Sequence, residues 1–300
     1  MGKIAFVFAG QGAQSVGMGL DLYENIDAAR TVFDAAGDEV KSLCFTGPAD
    51  LLNQTLYTQP CVYSVDYAAA QALRANGLTP DGVAGFSLGE LAALAFASVF
   101  SFEDGLEIVR FRSQAMQRCS DWRPGVMFAV LKLTDEQVES LCGDLPNTYP
   151  VNYNHPGQIV VACPVETAGA LQQAVTAAGG KAIQLRVSGA FHNPCMNDAA
   201  QALAERLVSQ TVASPSIPVY ANINAMPYSD IKKQMAQQVN HPVRWLETVR
   251  HMIADGFDTF IEVGPGKTLT GIIRHIDKTV QTHNVYDTMT LQTTLDEVKS

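Results

Sequence analysis

The segment Gly85-Phe86-Ser87-Leu88-Gly89 constrains the fold of this chain more than any other feature of its sequence. A short apolar run at 82–86 leads into it and predicts a buried strand. An alanine-rich run at 88–100 follows it and predicts a helix buried on all sides. Gly-x-Ser-x-Gly between a strand and a helix is typical of a sharp turn that lifts the serine clear of a sheet. The sequence therefore predicts a strand–turn–helix unit with Ser87 at its tip.

Strands and helices alternate on both sides of this unit. Between 126 and 187 the predicted order is βαββαβ, which is typical of a ferredoxin-like subdomain. We therefore predict an α/β protein, with a mainly parallel-sheet domain at 1–123 and 191–300 and an inserted ferredoxin-like α+β subdomain at 124–190. Outside the insert we predict further strands at 4–8, 219–223 and 257–263, and further helices at 21–39, 61–76, 104–118, 198–208, 242–254 and 269–276.

Composition excludes several classes of protein. The 300 residues carry a formal net charge of -10, so a phosphate backbone would be repelled and nonspecific nucleic-acid binding is not expected. The six cysteines form no Cys-x-x-Cys pair and no zinc-like spacing with histidine, which predicts reduced thiols and no metal site. We find no export signal and no apolar run of the roughly 18 residues that a membrane helix needs. We expect a cytoplasmic protein that does not bind membranes.

Ser87 is the predicted nucleophile of an acyl-transfer reaction. The helix that follows it offers unpaired N–H groups and a partial positive charge, which favour a developing oxyanion. A serine hydroxyl also needs a base, and six histidines are candidates. His192 stands out because it lies in a loop at the point where the insert returns to the large domain, and such loops often carry function.

Two further features have competing interpretations. Arg112, on the predicted helix 104–118, is either a solvated helix residue or a fork that binds a carboxylate through two hydrogen bonds. The glycine-rich segments 10–12 and 264–268 suggest nucleotide-binding motifs. Each lacks a glycine that its motif requires, so we interpret both as tight strand-to-helix turns.

Four segments together, at 8–14, 85–90, 189–192 and 262–269, resemble the malonyl-CoA:acyl-carrier-protein transacylases. The resemblance covers nearly the whole chain in the right order. It implies an α/β-hydrolase-like domain with a ferredoxin-like insert. It also implies a ping-pong transfer of malonyl from malonyl-CoA to the phosphopantetheine thiol of an acyl carrier protein, with no cofactor and no metal.

The resemblance assigns the catalytic roles. Ser87 would attack the thioester carbonyl and His192 would take its proton. The backbone carbonyl of Gln238, rather than a carboxylate, would orient the histidine. The backbone N–H groups of Gln11 and Leu88 would form the oxyanion hole.

The resemblance also assigns the acyl pocket. Arg112 would hold the free malonyl carboxylate, and Met116, one turn further on, would line the pocket. Asn154 is a further polar candidate for substrate binding. Phe191 precedes the histidine, and in related polyketide acyltransferases a Phe-His pair accompanies malonyl rather than methylmalonyl.

The chain departs from the family at two positions near these residues. Phe86 stands where the family usually has histidine, and Asn193 stands where serine is more usual. The acidic chain must also meet an acidic carrier protein. We predict that a basic patch docks the carrier, formed by Lys181, Arg186, Lys267 and Arg274.

Other functions stay open at this point. An ordinary α/β-hydrolase esterase would need its base after its acid, so His275 or His283 would take that role. A docking subunit without catalysis is a second alternative. Within acyl transfer, the chain could serve fatty-acid synthesis, act in trans on a polyketide synthase, or load a malonate decarboxylase.

Overall fold

A computed structural model of the chain describes residues 2–299 and contains two β-sheets. The larger sheet consists of β1 (Lys3–Phe8), β2 (Gly82–Gly85), β7 (Val219–Tyr220), β8 (Phe257–Val263) and β9 (Gln281–Val285). Its order is β7-β2-β1-β8-β9, and every neighbouring pair is parallel. The carboxyl ends of β1, β2 and β8 therefore meet at one edge, where ligands of open α/β sheets bind.

The smaller sheet consists of β3 (Gly125–Leu131), β4 (Tyr149–His155), β5 (Gln158–Pro164) and β6 (Lys181–Gln184). Its order is β4-β5-β3-β6 and every pair is antiparallel. With one helix after β3 and one after β5, this is the predicted βαββαβ pattern. The predicted fold class is confirmed, while the domain boundaries at 123/124 and 190/191 stay a proposal.

Helices cover both faces of the larger sheet. Along β1, Phe6 and Phe8 pack into one apolar cluster while Ala5 and Val7 pack into another on the opposite face. This alternation is what a strand buried on both faces requires. The helices are α1 (Leu20–Asn25), α2 (Asp27–Ala36), α3 (Asp38–Phe45), α4 (Ala49–Leu52), α5 (Thr55–Ala75), α6 (Gly89–Phe96), α7 (Phe102–Trp122), α8 (Asp135–Gly143), α9 (Ala168–Ala177), α10 (Asn197–Val208), α11 (Ile231–Gln238), α12 (Trp245–Ala254), α13 (Thr268–Ile276) and α14 (Thr288–Lys299).

The bounds of several predicted helices differ in the structure; the helix predicted at 88–100, for example, ends at Phe96. The segment 21–39 is not one helix, because Ile26 is extended at φ -124° and separates α1 from α2. The predicted helix 61–76 begins six residues earlier, at Thr55, so that Pro60 lies inside it. Proline has no N–H to donate to the carbonyl of Leu56, and the hydroxyl of Ser113 donates to that carbonyl instead, at 3.3 Å.

Elements at the end of the chain differ most from the prediction. The strand predicted at 219–223 ends at Tyr220, and the helix predicted from 242 begins at Trp245. Helix α11, strand β9 and helix α14 were not predicted.

Backbone hydrogen bonds join the insert to the large domain along β4. The N–H of Tyr153 donates to the carbonyl of Val243 at 3.0 Å, and the N–H of Val243 donates to the carbonyl of Val151 at 2.8 Å. Further along, the ring of His155 stacks on His275. These contacts connect β4 of the insert to the large domain beside the cleft that lies between the two sheets.

Candidate active site

Ser87 lies in the turn between β2 and α6, with a left-handed backbone φ of 53°. Non-glycine residues seldom adopt this region, and such strain concentrates at functional sites. The turn leaves no room for side chains on either flank. A Cβ at Gly85 would lie 2.0 Å from the carbonyl carbon of Gly89, and one at Gly89 would lie 2.2 Å from the carbonyl oxygen of Phe8. The predicted strand–turn–helix unit is present.

His192 lies within hydrogen-bond distance of Ser87, with Nε2 2.7 Å from Oγ. Its other ring nitrogen, Nδ1, lies 2.9 Å from the backbone carbonyl oxygen of Gln238. Because a carbonyl oxygen only accepts, Nδ1 carries the proton and Nε2 is left to accept from Ser87. The structure thus brings together the residues that were predicted as nucleophile, base and orienting group.

The environment keeps His192 neutral at pH 7. Burial is the larger cause and the positive charge of Arg112 is the smaller one, and together they lower the pKa of His192 to about 4. The hydrogen bond to Gln238 opposes this shift. A neutral imidazole can accept a proton, which is what a general base requires.

Arg112 is buried on α7, with 1% of its surface exposed, and its guanidinium faces Ser87. Nη2 lies 3.3 Å from Ser87 Oγ and donates to Gln238 Oε1 at 2.8 Å, while Nη1 donates to Gln59 Oε1 at 2.7 Å. Nε has no hydrogen-bond partner among residues 2–299. Burial lowers the pKa of Arg112 to about 10, against the opposing effect of Glu90, so the group stays cationic at neutral pH. Its hydrogen-bond acceptors are all uncharged, so the site holds a buried cation that can bind an anion.

Side chains also fix the backbone of Ser87. Gln238 Nε2 donates to the carbonyl of Ser87 at 2.5 Å, and Asn222 Oδ1 accepts from its N–H at 2.7 Å. Gln238 was assigned from sequence only through its carbonyl, and Asn222 was missed because it fell in a predicted strand. Gln59 was also missed, because it precedes the predicted helix 61–76, and its burial within α5 is visible only in the structure.

The two residues predicted for the oxyanion hole come from different turns, one after β1 and the other at 85–89 between β2 and α6, which we call the elbow. Gln11 follows β1 and lines the cleft, while Leu88 directly follows Ser87 and is buried. Neither backbone N–H has a hydrogen-bond acceptor within the described part of the chain. Donors of this kind are available to a reacting oxygen.

A cleft of about 470 Å³ opens between the two sheets beside the elbow. Phe86 lines it on the catalytic side and packs edge-on against Trp245, with the ring centroids 5.5 Å apart. Asn154 lines it on the insert side, and its Oδ1 has no partner among residues 2–299. Met116 is buried one turn after Arg112 on α7, does not line this cleft, and accepts through Sδ from Gln59 at 3.5 Å.

The residues of the predicted docking patch are all exposed. Arg186 lines the cleft. Arg274 instead directs its guanidinium to Thr282, with Nε donating to the hydroxyl at 2.6 Å.

The histidines that an esterase would require lie elsewhere. His275 stacks on His155, and His283 pairs with Glu297 at 3.0 Å. Neither bonds to Ser87, whose hydroxyl lies against His192.

No group of three or more metal-ligating side chains occurs among residues 2–299. Within the same range, no helix has the length and apolar character needed to cross a membrane.

The fold and the site define an acyltransferase. A family model described as "Acyl transferase domain" matches residues 5–295, and the chain belongs to this family. The chain is 35% identical over 311 residues to the malonyl CoA-acyl carrier protein transacylase of Bacillus subtilis (strain 168), covering 100% of this chain and 98% of that protein.

Two further comparisons extend this result. The polyketide biosynthesis malonyl CoA-acyl carrier protein transacylase PksC of the same organism is 38% identical over 284 residues, covering 92% of this chain and 97% of that protein. The solved structure of a type II PKS acyl-carrier protein in complex with its malonyl-transacylase matches with a TM-score of 0.94 at 32% identity, covering 98% of this chain and 99% of that chain.

Proposed function

We propose that this protein transfers the malonyl group from malonyl-CoA to the phosphopantetheine thiol of an acyl carrier protein, through a malonyl-Ser87 intermediate. The observation that carries the proposal is the buried guanidinium of Arg112, whose Nη2 lies 3.3 Å from the same Ser87 Oγ that faces His192. An acyl group on Ser87 that ends in a carboxylate would extend toward this cation. A neutral acyl group would leave it without an anionic partner.

In the first half-reaction, Ser87 Oγ attacks the thioester carbonyl carbon and its proton passes to His192 Nε2. The carbonyl oxygen becomes an oxyanion, which accepts hydrogen bonds from the backbone N–H groups of Gln11 and Leu88. When the tetrahedral intermediate collapses, the C–S bond breaks. The sulfur of CoA leaves and takes the proton from His192.

The second half-reaction runs the same steps with a new thiol. The phosphopantetheine thiol of the carrier gives its proton to His192 Nε2, and its sulfur attacks the ester carbonyl. The C–O bond to Ser87 breaks and Oγ takes the proton back. Gln238 holds the imidazole through a neutral carbonyl, which stabilises imidazolium less than a carboxylate would. A thioester is a reactive substrate, so this weaker support suffices.

Two residues complete the proposed substrate site. Met116, buried one turn after Arg112 on α7, would line the acyl pocket. Asn154 faces the cleft with an unpaired Oδ1, which can accept an N–H from the incoming thioester arm.

We assign the reaction to fatty-acid synthesis in the cytoplasm. All six cysteines carry free thiols, which fits a reducing compartment. The similarity to PksC supports a second candidate, the same malonyl transfer in trans to a polyketide synthase. Comparing kcat/KM on a fatty-acid carrier protein and a polyketide carrier protein would separate the two.

The test is intact-protein mass spectrometry after brief exposure to malonyl-CoA or acetyl-CoA. We expect a malonyl adduct on the wild type that is absent in Ser87→Ala. The adduct should then disappear when a carrier protein bearing phosphopantetheine is added, but not when the same carrier without that group is added. A wild type that forms no malonyl adduct would contradict the proposal.

A further inference from the structure

The strained backbone of Ser87 is held by side chains at both of its polar atoms. Asn222 accepts from the N–H and Gln238 donates to the carbonyl. Gln238 also contacts Arg112 and orients His192, so it belongs to the site already described. Among residues 2–299, Asn222 has no hydrogen bond to Arg112 or His192, and its side chain bonds only to Ser87 and Gly85 of the elbow.

Every polar group of Asn222 is engaged, although the residue is fully buried. Oδ1 accepts from Ser87, while Nδ2 donates to the carbonyl of Gly85 at 2.7 Å. The backbone N–H donates to Glu90 Oε2 at 2.6 Å, and the carbonyl accepts from the N–H of Arg244 at 3.0 Å. One amide therefore spans the turn, from the last residue of β2 to the nucleophile.

A buried carboxylate holds Asn222 in turn. Glu90 lies in the first turn of α6 with no exposed surface, and its second oxygen, Oε1, accepts from the hydroxyl of Tyr228. Tyr228 is anchored to the sheet, since its N–H donates to the carbonyl of Val219 at 2.9 Å. A continuous chain of hydrogen bonds therefore runs from β7 through Tyr228, Glu90 and Asn222 to Ser87.

We infer that Asn222 is a positioning residue for the nucleophile. The inference deepens the proposed function and rests on Ser87 being the acyl acceptor. By fixing the N–H of Ser87 against the carbonyl of Gly85, Asn222 sets the direction of Oγ toward His192. It also sets the position of the next N–H, that of Leu88, where the oxyanion forms. An error of about 1 Å in such a placement can cost about a hundredfold in rate.

The test uses two variants at this position and one matched control. Asn222→Ala removes both hydrogen bonds to the elbow. Asn222→Asp keeps an acceptor for Ser87, but its second oxygen faces the carbonyl of Gly85 and can bond there only when protonated. Burial and the nearby Glu90 both raise the pKa of the introduced carboxyl. Asn224→Asp is the control, because Asn224 lies two residues further along the same turn and is exposed.

Two reactions are measured at pH 5 to 8.5, each with the melting temperature in the same buffers. One is the single-turnover rate of malonyl-Ser87 formation. The other is labelling by a sulfonyl fluoride, in which Ser87 Oγ attacks sulfur, fluoride leaves and the proton passes to His192. The second reaction needs no malonyl group, so it reports on the elbow even if the proposed function fails.

We expect Asn222→Ala to lower both rates about ten- to a hundredfold while the KM for malonyl-CoA changes little. In Asn222→Asp, the rate relative to wild type should be highest at low pH and fall at least about tenfold toward pH 8.5. Asn224→Asp should match wild type throughout.

Two results would overturn the inference. One is a pair of Asn222 variants that label and acylate at the wild-type rate. The other is that the rates of both variants fall only in proportion to the folded fraction of the protein, and that the rate of Asn222→Asp relative to wild type does not change with pH. A wild type that is sulfonylated but never malonylated would reject the proposed function and leave this inference standing.

Discussion

At the scale of single residues, the site combines one buried positive charge, on Arg112, with one buried neutral base, His192. Arg112 is a buried cation with uncharged hydrogen-bond acceptors, and His192 is kept neutral beside it. Burial of a charge without an ion pair is costly. That cost is offset when a carboxylate arrives, so selectivity for malonyl should depend on this one side chain.

Replacing Arg112 with alanine should remove most of that selectivity. In a competition between equal concentrations of malonyl-CoA and acetyl-CoA, we expect the malonyl preference to fall about a hundredfold or more, because a charge-assisted pair is lost from a dry pocket. Mass spectrometry of the Ser87 adducts gives the ratio. Arg110→Ala is the control, since Arg110 lies on the same helix and pairs with Glu107 near the surface. An unchanged ratio in Arg112→Ala would remove the carboxylate anchor from the mechanism.

The pH dependence of acylation should show the lowered pKa of His192. The reactive form is the neutral imidazole, so kcat/KM for malonyl-enzyme formation should fall only as pH drops through about 4, rather than through the ordinary value near 6.5. Glu90 also titrates nearby, with its pKa raised by burial to about 7. The profile is therefore measured in wild type and in Glu90→Gln. A half-maximal point near 6.5 in both proteins would show that His192 is not held neutral in this way.

Asp66 on α5 is a buried carboxyl outside the site. It has no exposed surface, and neither oxygen has a hydrogen-bond partner among residues 2–299. Burial, with a smaller effect from Glu262, raises the pKa of Asp66 well above its usual value. The folded state therefore binds this proton more tightly than the unfolded state, and the free energy of unfolding decreases as pH rises from about 4 through the folded pKa.

Asp66→Asn should therefore be more stable than wild type at high pH. The difference in melting temperature should be largest near pH 8 and shrink toward pH 4, with each unit of pKa elevation worth about 1.4 kcal/mol. Thermal unfolding at several pH values measures it. Asp50→Asn, an exposed position, should show no such trend. If the difference in melting temperature between Asp66→Asn and wild type did not depend on pH, titration of the Asp66 carboxyl would not be what destabilises the wild type at high pH.

Ser87 could be predicted from the sequence because a strand–turn–helix motif is local. His192 was one of six histidines until the family resemblance gave it the role of base, and the role of Gln238 came from the resemblance alone. The side-chain contacts of Asn222 and Gln59 with Ser87 and Arg112 could not be predicted in the same way. They join residues far apart in the chain, and their partners are backbone atoms or amides with no distinctive pattern.

At the scale of elements, tight strand-to-helix turns recur at the carboxyl edge of the larger sheet. The turn after β8 is closed by Glu262, whose carboxylate accepts from the N–H groups of Leu269 and Thr270 at 3.0 and 2.7 Å. This caps the first turn of α13. The segment 262–269, which contributed to the family resemblance, therefore forms a capped strand-to-helix turn. This agrees with the interpretation of 264–268 as a tight turn.

The elbow should tolerate no side chain at Gly89. Gly89→Ala would place a Cβ 2.2 Å from a carbonyl oxygen of β1, and a backbone atom cannot move away without shifting the strand. We expect loss of several degrees in melting temperature and loss of the malonyl adduct. Gly169→Ala is the matched control, because a Cβ at that helical position would meet nothing within 4 Å among residues 2–299 beyond the backbone of its own helix, so the variant should be neutral or stabilising. Equal behaviour of the two variants would contradict the close packing of β1 on α6.

At the scale of the whole molecule, the acidic chain presents a few basic side chains around the cleft. The net charge of -10 would repel an acidic carrier unless positive charge is concentrated locally. Arg186 and Lys267 are exposed and come from the insert and the large domain respectively. Arg186 lines the cleft, and Lys267 directly precedes Thr268, which also lines it.

Reversing both charges, in Arg186→Glu with Lys267→Glu, should raise the KM for the carrier protein at least about tenfold at low salt and leave the rate of malonyl-Ser87 formation from malonyl-CoA unchanged. Steady-state transfer at two salt concentrations measures this. Lys3→Glu is the control, since Lys3 begins β1 at the opposite end of the parallel sheet. Unchanged carrier kinetics in the double variant would place the docking surface elsewhere.

The α/β class and the ferredoxin-like insert could be predicted because element order and apolar periodicity largely decide them. The strand order of the larger sheet could not, since β9 and α14 carry weak patterns. Strand β9 takes its place at the edge of the sheet by pairing with β8, and α14 packs against the large core cluster.

The position of β1 also has a consequence for synthesis. All four strands of the smaller sheet come from one stretch of chain, so the insert can complete its pairing while the rest is still being made. The larger sheet cannot, because β1 lies between β2 and β8, and β8 is translated much later. His192 and Gln238 also emerge long after Ser87. Under the proposed mechanism, a nascent chain therefore carries an unactivated serine until His192 and Gln238 have been made and have folded against it.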